Sequence, residues 1–494
     1  MENQDKDLRS IQEVRTLLRE AEKAQKILAT FDQAKIDHIV KTITDACLQN
    51  AVRLAKMANE ETGFGIWQDK VVKNVFGSQG IYEAIKDQKT VGILQEDQKN
   101  KTIDIGTAVG VIAGIVPSTN PTSTIMYKSL ISIKAGNSIV FSPHPGALSC
   151  ILETVDVVRK AAKSAGCPEA AISCITIPTM EATQELMRND ITRLILATGG
   201  YAMVKSAYSS GTPAIGVGAG NGPAFIEKTA DVKQAVKRIM DSKTFDNGTI
   251  CASEQSVVVE RCMAQNVQRE FEEQGAYFLD EQEAKQLGSF ILRANGTMNP
   301  QIVGKSVKKI AELAGLHKVP DQARVLIARE CKVGHTVPYS HEKLAPILAF
   351  YIEDDAEKAL DRICEILYFE GMGHTFCMHT KNEELVKRFS LKVPASRILI
   401  NTLGSLGGVG ATTNLFPALT LGCGAVGGSS SSNNIGPMDL INIKRVAYGV
   451  KDMEQLRQEA AIVDNTSSCC CNTKPQEIEQ IVDTLVKKIM QELI

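Results

Sequence analysis

Cys251 lies in the stretch Thr244-Phe-Asp-Asn-Gly-Thr-Ile-Cys-Ala-Ser-Glu-Gln255, between a Gly-containing turn and the β-branched run Val257–Val259. A thiolate held at such a turn can attack a carbonyl carbon, and its own main-chain N–H can face the oxyanion that forms. A lone cysteine is most often a small buried hydrophobe, so the assignment needs company. Ile115-Val-Pro-Ser-Thr-Asn-Pro-Thr-Ser123 leaves a strand-like run through Pro117 and enters a helix after Pro121. Its Asn120 is a neutral side-chain donor of the kind that stabilises charge growing on a carbonyl oxygen, with helix capping as the alternative role. Ala197-Thr-Gly-Gly200 follows the apolar run Ile191–Leu196 and opens a helix-like segment, Tyr201–Ser209. Backbone N–H groups at that start, around Thr198, Gly199 and Gly200, can hold a pyrophosphate. Gly216-Val-Gly-Ala-Gly-Asn-Gly222 looks like a glycine fingerprint, but such clusters are common in loops.

In order along residues 10–450, these motifs resemble the aldehyde dehydrogenase superfamily. The resemblance implies that Cys251 is the nucleophile, that the Asn120 amide donates to the substrate oxygen, and that Gly216–Gly222 replaces a segment in which hydrolytic members carry a water-activating Glu. Here no carboxylate precedes Glu227. Without a base for water, a thioester on Cys251 should persist until a better nucleophile arrives, and a thiol, that of coenzyme A, is the natural acceptor. Ser142-Pro-His-Pro145 replaces the Lys-Pro-Ser of hydrolytic members and is similar to the acylating branch. Pro143 and Gly218 are thereby placed at the cofactor. NAD is the expected cofactor and NADP stays open. Glu342, in His341-Glu-Lys-Leu-Ala-Pro346, matches a Glu that holds the nicotinamide ribose. His374, in Glu370-Gly-Met-Gly-His-Thr375, matches a G-H-T pattern of acylating members. An imidazole near neutral pKa there would serve Cys251 or the coenzyme A thiol, or it is structural. Asn401-Thr-Leu-Gly-Ser-Leu-Gly-Gly-Val-Gly410 also matches that branch, and Cys423 is read as structural.

The elements that must position these residues follow from the pattern. Residues 5–29 and 33–59 carry helical periodicity. Ala108–Val116, Ser138–Ser142, Ala171–Ile177, Leu194–Ala197 and Pro223–Ile226 read as strands alternating with helices, which predicts an α/β fold with a doubly wound parallel sheet. The expected division is a Rossmann-type cofactor-binding domain over 1–93 and 109–240 and an α/β catalytic domain over 241–431. By resemblance, 94–108 and 438–450 form a small oligomerisation arm, implying a homodimer or homotetramer.

The chain's 494 residues, 44% hydrophobic and 23% charged, are enough to bury a full core over two or three domains. A net charge of −2 gives no electrostatic reason to expect nucleic acid or an anionic membrane as partner. No apolar run is long enough to span a bilayer and the N-terminus lacks a secretory core, so an intracellular protein is expected. Thirteen scattered cysteines and seven histidines show no zinc-type spacing, and no metal site is expected.

A polar linker, 451–474, precedes an apolar stripe at i, i+3, i+4 spacing through Ile478, Ile481, Val482, Leu485 and Ile489. Thr473, Pro475 and Gln476 suit its start. Residues 475–494 resemble the encapsulation peptides that load enzymes into bacterial microcompartments, which implies shell proteins as partners and a cytoplasmic microcompartment as location. The alternative is a helix that packs on its own body. The combined expectation is an acylating aldehyde dehydrogenase acting on acetaldehyde or propionaldehyde. A hydrolytic aldehyde dehydrogenase, a γ-glutamyl phosphate reductase-like enzyme and a non-catalytic scaffold are the rivals.

Overall fold

The computed structural model describes residues 5–460, 479, 480 and 482–486. Among them fifteen strands follow in chain order: β1 (Gly92–Asp97), β2 (Thr102–Ala108), β3 (Val111–Val116), β4 (Ser138–Pro143), β5 (Ile172–Cys174), β6 (Thr192–Ala197), β7 (Ala214–Gly216), β8 (Pro223–Ile226), β9 (Ser256–Glu260), β10 (Ala276–Phe278), β11 (Val325–Arg329), β12 (Ile347–Glu353), β13 (Gly373–His379), β14 (Ala395–Ile400) and β15 (Ile441–Ala447). They form three sheets. A five-stranded sheet has the order β5-β4-β3-β6-β7, a seven-stranded one the order β10-β11-β12-β9-β8-β13-β14, and a small one the order β1-β2-β15.

Every pairing in the five-stranded sheet is parallel. The chain starts at the central β3, winds outward through β4 and β5, and returns to the other side at β6, so the β3/β6 boundary is a topological switch point. Both faces are covered, and alternate strand residues serve each face. Ile112, Ile139 and Leu194 pack against Ile125 and Leu130 of the helix Pro121–Lys134 and against Ile39 and Ile43 of the helix Gln33–Thr62. Their neighbours Ala113, Val140 and Ile195 face Val14 and Leu18 of the helix Lys6–Leu28. Each fully buried Leu or Ile contributes about 1.5–3 kcal/mol, which is why the two N-terminal helices are fixed on the body. Pro121 suits the first helical position, where its missing N–H costs nothing.

The seven-stranded sheet is also parallel at each pairing. Phe225, Val258, Leu326 and Phe376 face one core, and Ala224, Val257, Ile327 and Cys377 the other.

Several sequence expectations need correction. The run Ala108–Val116 is broken at Val109-Gly110, where Gly110 has φ 132 and its N–H donates to Asn137. Ala171–Ile177 shortens to β5. Pro223–Ile226 is a strand, but it pairs with β9 and β13 and so belongs to the seven-stranded sheet, not to the sheet of β3 and β4. A hydrophobic run specifies a strand, whereas its neighbours are chosen by packing. Three-residue β7 was not anticipated.

The chain divides into two compact units, Met1–Gly92 with Gly106–Ile443, and Ile93–Ile105 with Lys444–Ile494. In the second, Arg445 pairs with Asp104 at 2.7 Å. Residues 453–460, 479, 480 and 482–486 are helical. Cys469–Cys471, Thr473, Pro475, Gln476 and the rest of the expected C-terminal stripe lie outside the described residues. No helix among the described residues is long and apolar enough to cross a membrane.

Candidate active site

The C-terminal ends of β3, β4 and β6 lead into Pro117–Asn120, Pro143–Pro145 and Thr198–Gly200. The first and last flank the switch point. Buried Lys128 ties them, its Nζ donating to the carbonyls of Ile115 and Leu196 at 2.7 Å each and to Thr198 Oγ1 at 3.1 Å. Thr198 Oγ1 in turn donates to the Ile115 carbonyl. Gly200 then caps the helix Tyr201–Tyr208 with no side chain bonded to its first turn, and a Cβ there would meet only open space. Uncapped N–H groups facing open space are what an anion such as a pyrophosphate needs.

The opposite side is built from the entrances to β8, β9 and β12. Before β9, Asp246, Asn247 and Gly248 have φ of 48, 52 and 77. The left-handed region costs a non-glycine residue about 1–2 kcal/mol, least for Asp and Asn. Buried Asp246 is fixed by the N–H of Ile66 at 2.7 Å, by Lys70 at 3.0 Å, by Lys73 and by Thr249 Oγ1. A Cβ on Gly65, which has φ +72, would lie 1.8 Å from Asp246 Oδ1, so only glycine fits. Burial opposes the Asp246 charge, but Lys73 and Lys70 still hold its carboxyl below the ordinary range. Burial also lowers Lys73, to about 8, against the pull of Asp246. This over-determined turn brings Thr249, Ile250 and Cys251 to the cavity wall.

Asn120 is the N-cap of the helix Pro121–Lys134, yet its side chain makes no capping bond. Its Nδ2 donates to the Thr249 carbonyl at 3.1 Å and to Thr119 Oγ1 at 3.2 Å, and its Oδ1 accepts from Lys73 Nζ at 2.6 Å. The capping role is therefore set aside.

Gly220 passes so close to Cys251 that a Cβ on it would lie 1.8 Å from the Cys251 carbonyl oxygen. Its N–H donates to Glu342 Oε1 at 2.9 Å. Burial, and then repulsion from Glu370, pushes the Glu342 carboxyl up to about 8. Burial, and then the charge of Glu342, pushes the Cys251 thiol up to about 12. At that value the sulfur is a protonated thiol at neutral pH.

These pieces enclose a cavity of about 490 Å³. Cys251, Asn120, Pro143, Thr198, Gly199, Gly200, Gly218 and Glu342 all line it, together with Lys73, Ser118, Thr249 and Val409. Glu342 is the one carboxylate among the lining residues. Cys423 does not line it, although a Cβ on Gly218 would come within 3.7 Å of its sulfur.

His374 does not line the cavity either. It is fully buried, its Nδ1 lies 2.9 Å from Thr375 Oγ1, and burial lowers its pKa to about 3. The expectation of an imidazole near its ordinary pKa is corrected: burial in low dielectric disfavours the charged form.

Sequence reasoning missed Lys70, Lys73, Lys128 and Asp246. The available signal was two lysines three apart on one short helix, Trp67–Val75, beside Asn74, all on a face that proves buried. Among the described residues, no group of three or more His, Cys, Asp or Glu side chains is placed to hold a metal ion.

A model of the aldehyde dehydrogenase family matches residues 8–407. The bifunctional aldehyde-alcohol dehydrogenase of Escherichia coli K12 is 47% identical over 449 residues, which are 90% of this chain and 50% of the relative. The chain thus spans about half the length of that curated relative. A crystal structure of a probable aldehyde dehydrogenase from Listeria monocytogenes has 64% identity and a TM-score of 0.91, covering 92% of this chain and 100% of that one. An acetylating aldehyde dehydrogenase from Geobacillus thermoglucosidasius has 50% identity and a TM-score of 0.89, covering 91% and 99%. A propionaldehyde dehydrogenase from the fucose-utilisation bacterial microcompartment of Clostridium phytofermentans has 25% identity and a TM-score of 0.79, covering 88% and 97%.

Proposed function

Because the chain belongs to the aldehyde dehydrogenase family, we propose that it oxidises a short aliphatic aldehyde, acetaldehyde or propionaldehyde, to its coenzyme A thioester. The observation that carries this is the pairing of Cys251 and Asn120 on one cavity to which the segment Gly216–Gly222 contributes no carboxylate. The acetylating and propionaldehyde-oxidising relatives support the same reading.

Cys251 gives up its thiol proton to solvent, the thiolate Sγ attacks the aldehyde carbon, and the oxyanion accepts from Asn120 Nδ2 and from the Cys251 N–H. A nicotinamide cofactor, NAD or NADP, supplies the acceptor for the hydride that leaves the tetrahedral carbon as the carbonyl reforms. The chain would hold it with the N–H groups at Thr198–Gly200, with Pro143 beside the adenosine, with Gly218, and with Glu342 at the ribose. Coenzyme A thiolate then attacks the Cys251 thioester and releases the enzyme thiolate, so two electrons leave the aldehyde and one thioester is exchanged for another. Gly220 leaves no room for a side chain beside Cys251, which disfavours a water-activating group on that segment.

One observation favours a hydrolytic rival: Glu342 lines the cavity with a pKa near 8, suited to a general base. NADH formation from acetaldehyde by the purified protein, with and without coenzyme A, separates the two. Strict dependence on coenzyme A supports acylation, and sustained turnover to acetate without it refutes the reading.

Residues 1–93 with 109–240, and 241–431, are proposed as cofactor and catalytic domains, with β8 assigned to the latter by its sheet. Residues 94–108 and 438–450 are proposed to pair with a second copy. The stripe over 475–494 is proposed as the segment that directs the enzyme into a microcompartment, supported by its apolar spacing and by the microcompartment relative. Its deletion should spare turnover and abolish association with shell proteins.

A further inference from the structure

Lys73 stands outside the roles assigned so far, and its surroundings explain more than a structural ion pair requires. It lies one helical turn after Lys70 on Trp67–Val75, and both ammonium groups reach the Asp246 carboxylate. Only Lys73 reaches the Asn120 side chain. Its Nζ also donates to Thr249 Oγ1 at 2.9 Å and to Asn120 Oδ1 at 2.6 Å, and it lines the cavity that Cys251 lines. Lys70 Nζ contacts the Thr119 carbonyl at 3.3 Å and makes no bond to the Asn120 side chain.

A side-chain amide can rotate by half a turn and exchange its donor and acceptor ends. With an ammonium at one end that freedom is lost, because the flipped amide would set its own N–H groups against a cation. We propose that Lys73 is a positioning residue for the oxyanion donor: it fixes the Asn120 amide so that Nδ2 faces the reacting carbonyl, and it polarises that amide into a stronger donor. One Nδ2 hydrogen is engaged by the Thr249 carbonyl, adjacent to the Ile250-Cys251 peptide. The other points to Thr119 Oγ1 over 3.2 Å, a long contact with a cavity-lining hydroxyl. That hydrogen is the one a substrate oxygen would take. Hydrogen bonds in a chain polarise one another, so a charged donor at Oδ1 strengthens donation from Nδ2. The proposal rests on the acylating reading given above and extends it to a residue that acts through Asn120.

The test is a double-mutant cycle on the full chain, begun by establishing wild-type turnover of acetaldehyde with coenzyme A and NAD. Lys73→Met leaves Asp246 paired with Lys70, so no buried carboxylate is orphaned. It should lower kcat/KM for the aldehyde by about 100-fold, a loss typical of one oxyanion donor, mainly in kcat and with KM for NAD within threefold. Asn120→Ala should lose a similar factor, and the double variant should be within threefold of Asn120→Ala alone. Lys73→Gln carries an amide N–H that can reach Oδ1, and should recover about tenfold relative to Lys73→Met. Lys70→Met, which removes the other cation from the same carboxylate, should lose less than tenfold. Multiplicative losses in the double variant, or a Lys70→Met defect equal to that of Lys73→Met, would overturn the role. If Lys73→Met does not fold, the cycle is run with Lys73→Gln, whose expected tenfold loss must likewise vanish in the Asn120→Ala background. Absence of wild-type turnover would refute the proposed function and this role together, whereas wild-type turnover with an additive cycle refutes the role of Lys73 alone.

Discussion

One wall of the cavity is the C-terminal edge of the five-stranded sheet, and the other is the N-terminal edge of the seven-stranded sheet. The first comes almost free with the topology. Two of the parallel strands that end there, β3 and β6, lead directly into helices whose N-caps make no side-chain bond, as at Thr198–Gly200, so free N–H groups point at the same edge. The second has no such default. Chain entering β8, β9 and β12 must be bent to expose a thiol, and it is held by left-handed Asp246 and Asn247, by two buried lysines, and by a glycine pressed on the Cys251 carbonyl. A generic edge suits a generic ligand feature, a phosphate, whereas chemistry on a carbonyl needs atoms placed one by one.

Substitutions should therefore separate the walls. The largest effect is expected at the proposed nucleophile: Cys251→Ala should cost on the order of 10⁴-fold or more in kcat while binding of NAD, followed by fluorescence, persists. Next comes the support of the N-terminal edge. Asp246→Ala strands two buried ammonium groups and should cost about 3–5 kcal/mol in urea unfolding. Because the Asp246 pKa is lowered in the fold, its contribution is present above the unfolded carboxylate value and is lost as pH falls through the folded one. The gap between wild type and variant should accordingly shrink below about pH 4. If Pro143→Ala on the other wall were as destabilising, the contrast between the edges would be wrong.

A matched pair of glycines sharpens the comparison further. Gly220→Ala drives a methyl into the Cys251 carbonyl and should lower kcat by about 10–100-fold through misplacement of the thiol. Gly200→Ala meets open space and should raise KM for NAD by no more than about threefold, with kcat intact. The smallest effects concern protons. With the thiol pushed up to about 12, alkylation of Cys251 in the cofactor-free enzyme should rise about tenfold per pH unit from 7 to 10, read by mass spectrometry. His374, held neutral from about pH 5 upward, should leave the acid limb of the kcat/KM profile unmoved when replaced by Gln. A displaced limb would restore it to the catalytic set.

The walls also differ in how well they can be read from sequence. The meeting of Cys251 and Asn120 at one cavity was legible because their local contexts, a Gly turn before a β-branched run and an Asn between a strand end and a Pro-led helix, survive folding unchanged. Thr198–Gly200 was legible for the same reason. Lys73 and Asp246 were not, since a lysine 173 residues away from its carboxylate looks like any solvated surface charge. His374 is the reverse case. Its motif was visible, but the burial that holds it neutral was not.

Sequence alone determined the elements whose cause is local: the amphipathic helices at the N-terminus, the buried parallel strands, the glycine-led helix start and the thiol on its turn. It also fixed the absence of a carboxylate from Gly216 to Ile226. Tertiary structure decided which sheet β8 joins, which of two similar lysines reaches Asn120, and which histidine is shut away from the cavity. The reason is physical. Propensity and periodicity act over a few residues, whereas sheet partners, desolvation and buried ion pairs depend on segments that meet only after the chain has closed around them.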